Sequence, residues 1–307
     1  MLDFKMYDPD RRFIYPYSDW GFKELFGTEE NKHLLLRVLN EAMPGRDIRD
    51  VTFIPPDIKL PIARQGQISI DVYCQCADSS TFLLEMQNEI TSGFLDRSLV
   101  YCSAAILRDF SAKKGHYRVQ ETVFIAMTGE NVFDESDSAP VRLALCDLGE
   151  ERTTVLNDKL LQIFIEFPKL AERAKGKSPE EREFFEKFVL AMTRMPDCEE
   201  IPDDFGDDFF DQLFEASDTR GYPKNKIEKY RNFMINEFKY KATLAEATYD
   251  ARMAGIAEGK AEGKAEGKAE GKAENSLEVA KNLKAAGVDI QIISRCTGLT
   301  PEQIEAL

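Results

Sequence analysis

Apolar and polar positions alternate most cleanly in two short segments of the chain. In Ile68 to Cys74, the residues Ile68, Ile70, Val72 and Cys74 fall on one face, and Ser69, Asp71 and Tyr73 on the other. In Thr81 to Gln87, Phe82, Leu84 and Met86 share a face, and Leu83, Glu85 and Gln87 share the opposite one. The intervening Ala77 to Ser80 is rich in turn-forming residues, so the two segments read as a β-hairpin. Helical periodicity precedes it in Trp20, Phe22, Leu25 and Phe26, then in Leu34, Leu35, Leu36, Val38 and Leu39. Val51 to Ile54 predicts another strand. After the hairpin, Leu95, Leu99, Cys102, Ile106 and Phe110 predict a helix with that apolar face, and Thr122 to Met127 predicts a buried strand.

Face matching restricts the register of the hairpin, because a slip of one residue turns every side chain over. Pairing Cys76 with Ser80 closes a three-residue loop and matches all the apolar positions. That register sets Asp71 directly opposite Glu85. Two facing carboxylates repel, which destabilises a strand pair unless a cation sits between them. The alternation by itself is equally compatible with a solvated outer face of an antiparallel sheet.

The order is helix, three strands, helix, strand, with Asp in the second strand and Glu-x-Gln in the third. In this the sequence resembles the PD-(D/E)xK nuclease superfamily, and more closely its bacterial transposase or recombination-promoting nuclease group. The matching strings are Asp19 to Gly27, Leu39-Asn40, Ile70 to Tyr73, Leu84 to Gln87, Arg97 to Tyr101 and Phe164 to Lys169. The resemblance spans roughly residues 15 to 240. It implies an α/β fold with a restriction-endonuclease-like core, a helical subdomain and a helical C-terminal tail. The expected organisation is a nuclease-like core over 1–150 and a mostly helical subdomain over 151–250. A repeat linker over 251–275 and a small helical module over 276–307 follow.

The resemblance implies metal-assisted phosphodiester hydrolysis in DNA. Asp71 and Glu85 would hold Mg²⁺, with Mn²⁺ as the alternative, since hard cations prefer oxygen ligands. The superfamily's third-strand lysine is Gln87 here. Glutamine can position a water by hydrogen bonding but carries no charge. Lys23 is a candidate source of that charge, or an ordinary solvated lysine. Arg97, Tyr101 and Arg108 lie within about 40° of one another on a helix. With Asp19 of the first motif, they are the expected substrate contacts, although a plain solvated helix face has the same pattern.

Composition narrows the alternatives. No run approaches the roughly 20 apolar residues of a membrane span, and the N-terminus lacks a secretory apolar region, so a cytoplasmic protein is expected. Six dispersed cysteines fit free thiols better than a disulfide framework, and two histidines leave little material for histidine-based chemistry. The net charge is −15, unevenly spread. Residues 1–128 carry a net −3 and residues 129–250 a net −11. Phosphate binding needs local Lys or Arg, so the acidic middle opposes non-specific DNA contact or faces a partner protein. A nuclease-fold protein that binds nucleic acid or protein without cleaving is therefore the second reading.

The pattern beyond the core is helical, in Phe184 to Met192, Asp207 to Glu215 and Ile227 to Phe238. Residues 257–272 are four copies of Ala-Glu-Gly-Lys. They place like charges at i,i+4, and each glycine costs about 1 kcal/mol relative to alanine. A marginal solvated helix or a spacer is expected there. The tail regains an apolar pattern in Leu283, Ile292, Ile293, Leu299 and Ile304, with Gly287 and Thr300-Pro301 as stop and start signals. Three short helices there resemble a helix-turn-helix-like module. With only Lys281, Lys284 and Arg295 as cations, it suits protein contact or homo-oligomer formation better than DNA.

Overall fold

The first turn of the fold is built around Ser18, whose side chain accepts the Gly21 N–H and starts helix α1, Asp19–Phe26. The computed structural model describes residues 8–59, 67–113, 116–134, 136–147 and 154–307. The boundary expected at 150/151 lies outside the described residues. Helix α2 spans Lys32–Ala42. Strands β1 (Val51–Phe53), β2 (Asp57–Lys59), β3 (Gln67–Ser69), β4 (Val72–Cys76) and β5 (Thr81–Gln87) follow, then α3 (Phe94–Asp109). Next come β6 (Ser111–Lys113), β7 (His116–Arg118), β8 (Thr122–Thr128), β9 (Val141–Asp147) and β10 (Thr154–Glu166). The remaining helices are α4 (Phe167–Ala174), α5 (Phe184–Arg194), α6 (Asp208–Ser217), α7 (Lys224–Ala285), α8 (Ile290–Thr297) and α9 (Pro301–Glu305).

Six strands form one mixed sheet in the order β1-β4-β5-β8-β10-β9. The pairs β1–β4, β4–β5 and β10–β9 are antiparallel, and β5–β8 and β8–β10 are parallel. Parallel neighbours require a crossover, and α3 lies in the connection from β5 to β8. The strands in the middle are apolar on both faces because both faces are covered. Phe82, Leu84, Val123, Ile125, Ile163 and Ile165 enter one core with α1, α2 and α4 to α6. Leu83, Phe124, Ala126 and Phe164 enter a second core with α3.

The hairpin has the register that face matching selects. Val72 faces Leu84 and Cys74 faces Phe82, and the Cys76 N–H donates to the Ser80 carbonyl at 2.9 Å. Ser79 takes a left-handed φ of 69°, and the Asp78 carboxylate accepts the Ser80 N–H, which closes the three-residue loop.

Two expectations need correction. Ile68 to Cys74 is not one continuous strand. β3 pairs with β2, Ile58 opposite Ile68, and the chain bends at Ile70-Asp71 before β4 begins. Ile68 and Ile70 therefore join Tyr73 in the second core, while Val72 and Cys74 enter the first. In α3, the buried residues are Phe94, Ser98, Cys102, Ala104 and Ala105. Leu95, Leu99 and Phe110 are exposed. Phe94 meets the Phe164 ring edge-on at 6.2 Å, and the small residues behind it let the helix sit close on the sheet.

Contacts divide the chain into two units, Met1–Asn236 and Glu237–Leu307, with the division falling within α7. Strands β9 and β10 belong to the large sheet, and the Ala-Glu-Gly-Lys copies lie within α7. In the second unit, Ala280, Ile293 and Ile304 are fully buried, with Leu283, Val288, Ile290 and Leu299 packed around them. Ile292, expected in that core, is exposed. Thr300 caps α9 with Pro301 in its first turn, and Gly287 follows α7 with φ 76°.

Candidate active site

The bend before β4 and the last turns of β5 bring Asp71 and Glu85 together. The Asp71 N–H donates to Glu85 Oε1 at 3.2 Å, and the Met86 N–H donates to Asp71 Oδ2 at 2.9 Å. Each carboxylate is therefore anchored by backbone, and the two charges lie side by side. Glu85 is buried and Asp71 half-buried, because α3 covers this face. The solvated-face alternative does not describe them. Burial pushes the Glu85 carboxyl well above its ordinary range, and the negative charge of Asp71 adds to this. Burial likewise raises Asp71, against the Met86 N–H and Lys23, which lower it.

Lys23 projects from α1 towards the same point. Its Nζ is 3.3 Å from Asp71 Oδ1 and hydrogen-bonds Asp19. Burial pulls its pKa down, but Asp19 and Asp71 more than offset this and keep it protonated. Gly27 closes α1, its N–H donating to the Lys23 carbonyl. A Cβ there would stand 2.8 Å from the Lys23 carbonyl and 3.4 Å from Val72 Cγ2. Asp19 is thus a partner of Lys23 near Asp71.

On the other side, Arg97 donates to Gln87 Oε1, and the Gln87 amide donates to the Glu89 carbonyl at 2.7 Å. Both ends of Gln87 are engaged. The Arg97 guanidinium lies 5.2 Å from the Phe94 ring centre and 6.0 Å from that of Tyr101. The Tyr101 hydroxyl is raised by burial and by the charge of Glu85. Arg108 stands apart from this group. It lies 4.5 Å above the Tyr73 ring and 3.6 Å from Asp109, eleven residues along α3 from Arg97, or about 16 Å of helix.

The Arg97–Gln87 contact escapes sequence reasoning, which gives each residue a separate role. A small signal is present, since a helix that follows a hairpin by a short loop returns over the strand it left.

The donor set suits a hard cation. Two desolvated carboxylates with an unfavourable mutual charge are what a divalent ion relieves. Among the described residues, no group of three or more His, Cys, Asp or Glu is placed to hold an ion. Among the described residues, Asp71 and Glu85 would supply the carboxylates of such a site, with Asp19 beside Asp71 and water completing the shell, as Mg²⁺ commonly retains. Two surface clefts lie elsewhere, one beside His33, Arg37 and Asp207, the other beside Arg46, Cys76 and Glu121.

The site thus joins a mixed α/β fold, two carboxylates brought together by adjacent strands, and two flanking cations, Lys23 and Arg97. The family described as PD-(D/E)XK nuclease family transposase matches residues 16–247, and the chain belongs to that family. No curated protein and no solved structure matches the chain. Membership indicates a nuclease- or transposase-related role, with DNA as the substrate class, in a family whose nucleases generally use divalent metal ions. No helix among the described residues is long and apolar enough to cross a membrane.

Proposed function

We propose that this protein is a Mg²⁺-dependent DNA endonuclease, with Mn²⁺ as an alternative ion, acting in recombination or mobile-element transactions in the cytoplasm. The observation that carries this reading is the backbone-anchored, desolvated pair Asp71 and Glu85. These two would hold the ion, which when bound polarises a phosphoryl oxygen and supplies a water of lowered pKa.

The protein's own side chains do the rest. Arg97 binds a non-bridging oxygen of the scissile phosphate and offsets charge as it builds. Gln87 holds the Arg97 guanidinium in place, so the charge missing from the third strand enters from α3. Lys23, paired with Asp71, would supply a positive charge to the phosphate were the two carboxylates to hold an ion. Tyr101 walls the site beside Arg97. Arg108 and Asp19 remain candidates for outer contacts, Arg108 with flanking backbone and Asp19 through Lys23.

A supercoiled-plasmid assay with Mg²⁺, Mn²⁺ or EDTA tests the proposal. Nicking with either ion, none with EDTA and none by Asp71→Ala is the expected result. Equal nicking by Asp71→Ala would refute it.

A second reading is a nuclease-fold protein that binds without cleaving. It is favoured by the Lys23–Asp71 ion pair, which occupies the carboxylate a metal needs, and by the net charge of −15. Gel-shift of DNA without cleavage under any divalent ion would select it.

A further inference from the structure

Among the described residues, four side chains bury a polar atom that has no hydrogen-bond partner: Tyr73, Thr128, Arg182 and Asp204. A buried hydroxyl left unpaired costs stability, and native chains keep few of them. Thr128 is fully buried and is the last residue of β8. Its neighbours across the sheet are Gln87 on β5 and Glu166 on β10. Phe124 and Ala126 enter the second core with Leu83. Alternation therefore turns Thr128 to the face shared by Leu83, Glu85 and Gln87. The orphaned hydroxyl lies at the carboxylate end of the sheet, one strand from Gln87.

Packing does not explain a hydroxyl here. Valine has nearly the same shape, suits a strand covered on both faces, and leaves no orphaned donor. Glu166 is already committed: its Oε1 accepts the Val132 and Phe133 N–H groups, and its Oε2 the Lys169 ammonium. Gln87 has more freedom. It is half-buried, and its amide Nε2 donates to the nearby Glu89 carbonyl rather than into the sheet. Adjacent strands are about 4.8 Å apart, within the reach of a glutamine side chain. Rotation about its side-chain torsions carries the amide from Glu89 to Thr128 Oγ1, while Oε1 continues to accept from Arg97.

We propose that Thr128 is a positioning residue of the candidate site, its hydroxyl accepting the Gln87 amide when Arg97 engages a substrate phosphate. This rests on the roles given above to Arg97 and Gln87. In the substrate-free protein the hydroxyl stays unpaired at a cost in stability, a trade that functional sites commonly make. With DNA bound, the Gln87–Thr128 hydrogen bond fixes the carboxamide and, through it, the guanidinium on the phosphate.

The experiment compares Thr128→Val and Thr128→Ser in the full chain, by thermal melts in EDTA and by initial rates of supercoiled-plasmid nicking in Mg²⁺. Thr128→Val should melt about 2–4 °C above the parent, because the orphaned hydroxyl is gone. The same variant should nick about tenfold more slowly at saturating plasmid, the effect of one lost hydrogen bond. Thr128→Ser keeps the hydroxyl and should nick at close to the parent rate. In the Gln87→Ala background, Thr128→Val should change the rate by less than about twofold, since its effect passes through Gln87. A threonine with a structural role alone gives another pattern, with stability and rate falling together, and that result overturns the proposal. So does equal nicking by Thr128→Val and the parent, or an undiminished loss in the Gln87→Ala background. A parent that nicks under no divalent ion refutes the proposed function and this inference with it, whereas the variant outcomes refute the inference alone.

Discussion

The Asp71 and Glu85 carboxyls set the pH behaviour of the site. Burial raises both in the folded chain, so between the ordinary carboxyl range and about pH 8 the native state holds more protons than the unfolded one. Stability of the metal-free protein therefore falls as pH rises above the ordinary carboxyl range, because a charge must then be kept desolvated. Thermal melts in EDTA from pH 5.5 to pH 8.5 should show this decline, and Glu85→Gln should flatten it. Metal binding requires the deprotonated pair, so calorimetric Mg²⁺ affinity should rise over the same interval, with proton release. Arg97 and Gln87 are tested together. Arg97→Ala should lower turnover by about 10²-fold, within the usual range for a positioned catalytic group. Gln87→Ala should cost less, since it acts through Arg97. Gln87→Lys should recover part of the loss in the Arg97→Ala background, where no guanidinium repels the new ammonium.

Among the elements, the end of β10 offers the clearest test of packing. Glu166 is fully buried, and its Oε1 accepts the Val132 and Phe133 N–H groups at 2.7 and 3.0 Å. Its Oε2 is 2.7 Å from Lys169 Nζ, which also donates to the Phe133 carbonyl. The pair thus staples the loop after β8 to the start of α4. Glu166→Ala leaves a largely buried ammonium and two backbone donors without their partner. Such a break costs about 3–5 kcal/mol, which urea melts should register. The string Phe164 to Lys169 therefore has a structural explanation here, apart from any part in chemistry. Helix α3 makes the complementary point. Its apolar residues lie on nearly every side, so periodicity offers two faces, and the sheet accepts the one carrying Phe94 and Cys102. That choice turns Arg97 and Tyr101 inward, beside the carboxylates.

At the scale of the whole molecule, the six-stranded sheet and both cores on it are built from residues before 237. Truncation after Ala254 should leave the melting temperature and any metal-dependent cleavage unchanged, since the carboxylates and both cores lie before residue 237. Light scattering should show a smaller particle mass, counted in chains, for the truncated chain than for the full chain, because the terminal module built on Ala280, Ile293 and Ile304 is removed. Equal masses for the two chains would show that the terminal module takes no part in association.

The features legible in the sequence are those with a local cause. The hairpin register follows from alternation and loop length, so Asp71 opposite Glu85 is readable from those residues alone. The cap at Thr300, the stop at Gly287 and the buried strand at Thr122 to Met127 are readable for the same reason: each depends on a few consecutive residues. Tertiary structure decides what depends on a neighbour distant in the chain. The bend at Ile70-Asp71 arises because β3 pairs with β2, not with β5. The exposed Leu95 and Leu99, the Arg97–Gln87 contact and the raised carboxyls arise because α3 packs on the sheet and excludes water from that face. Periodicity states which side chains share a face, and only packing states what that face meets and how far its charges are removed from solvent.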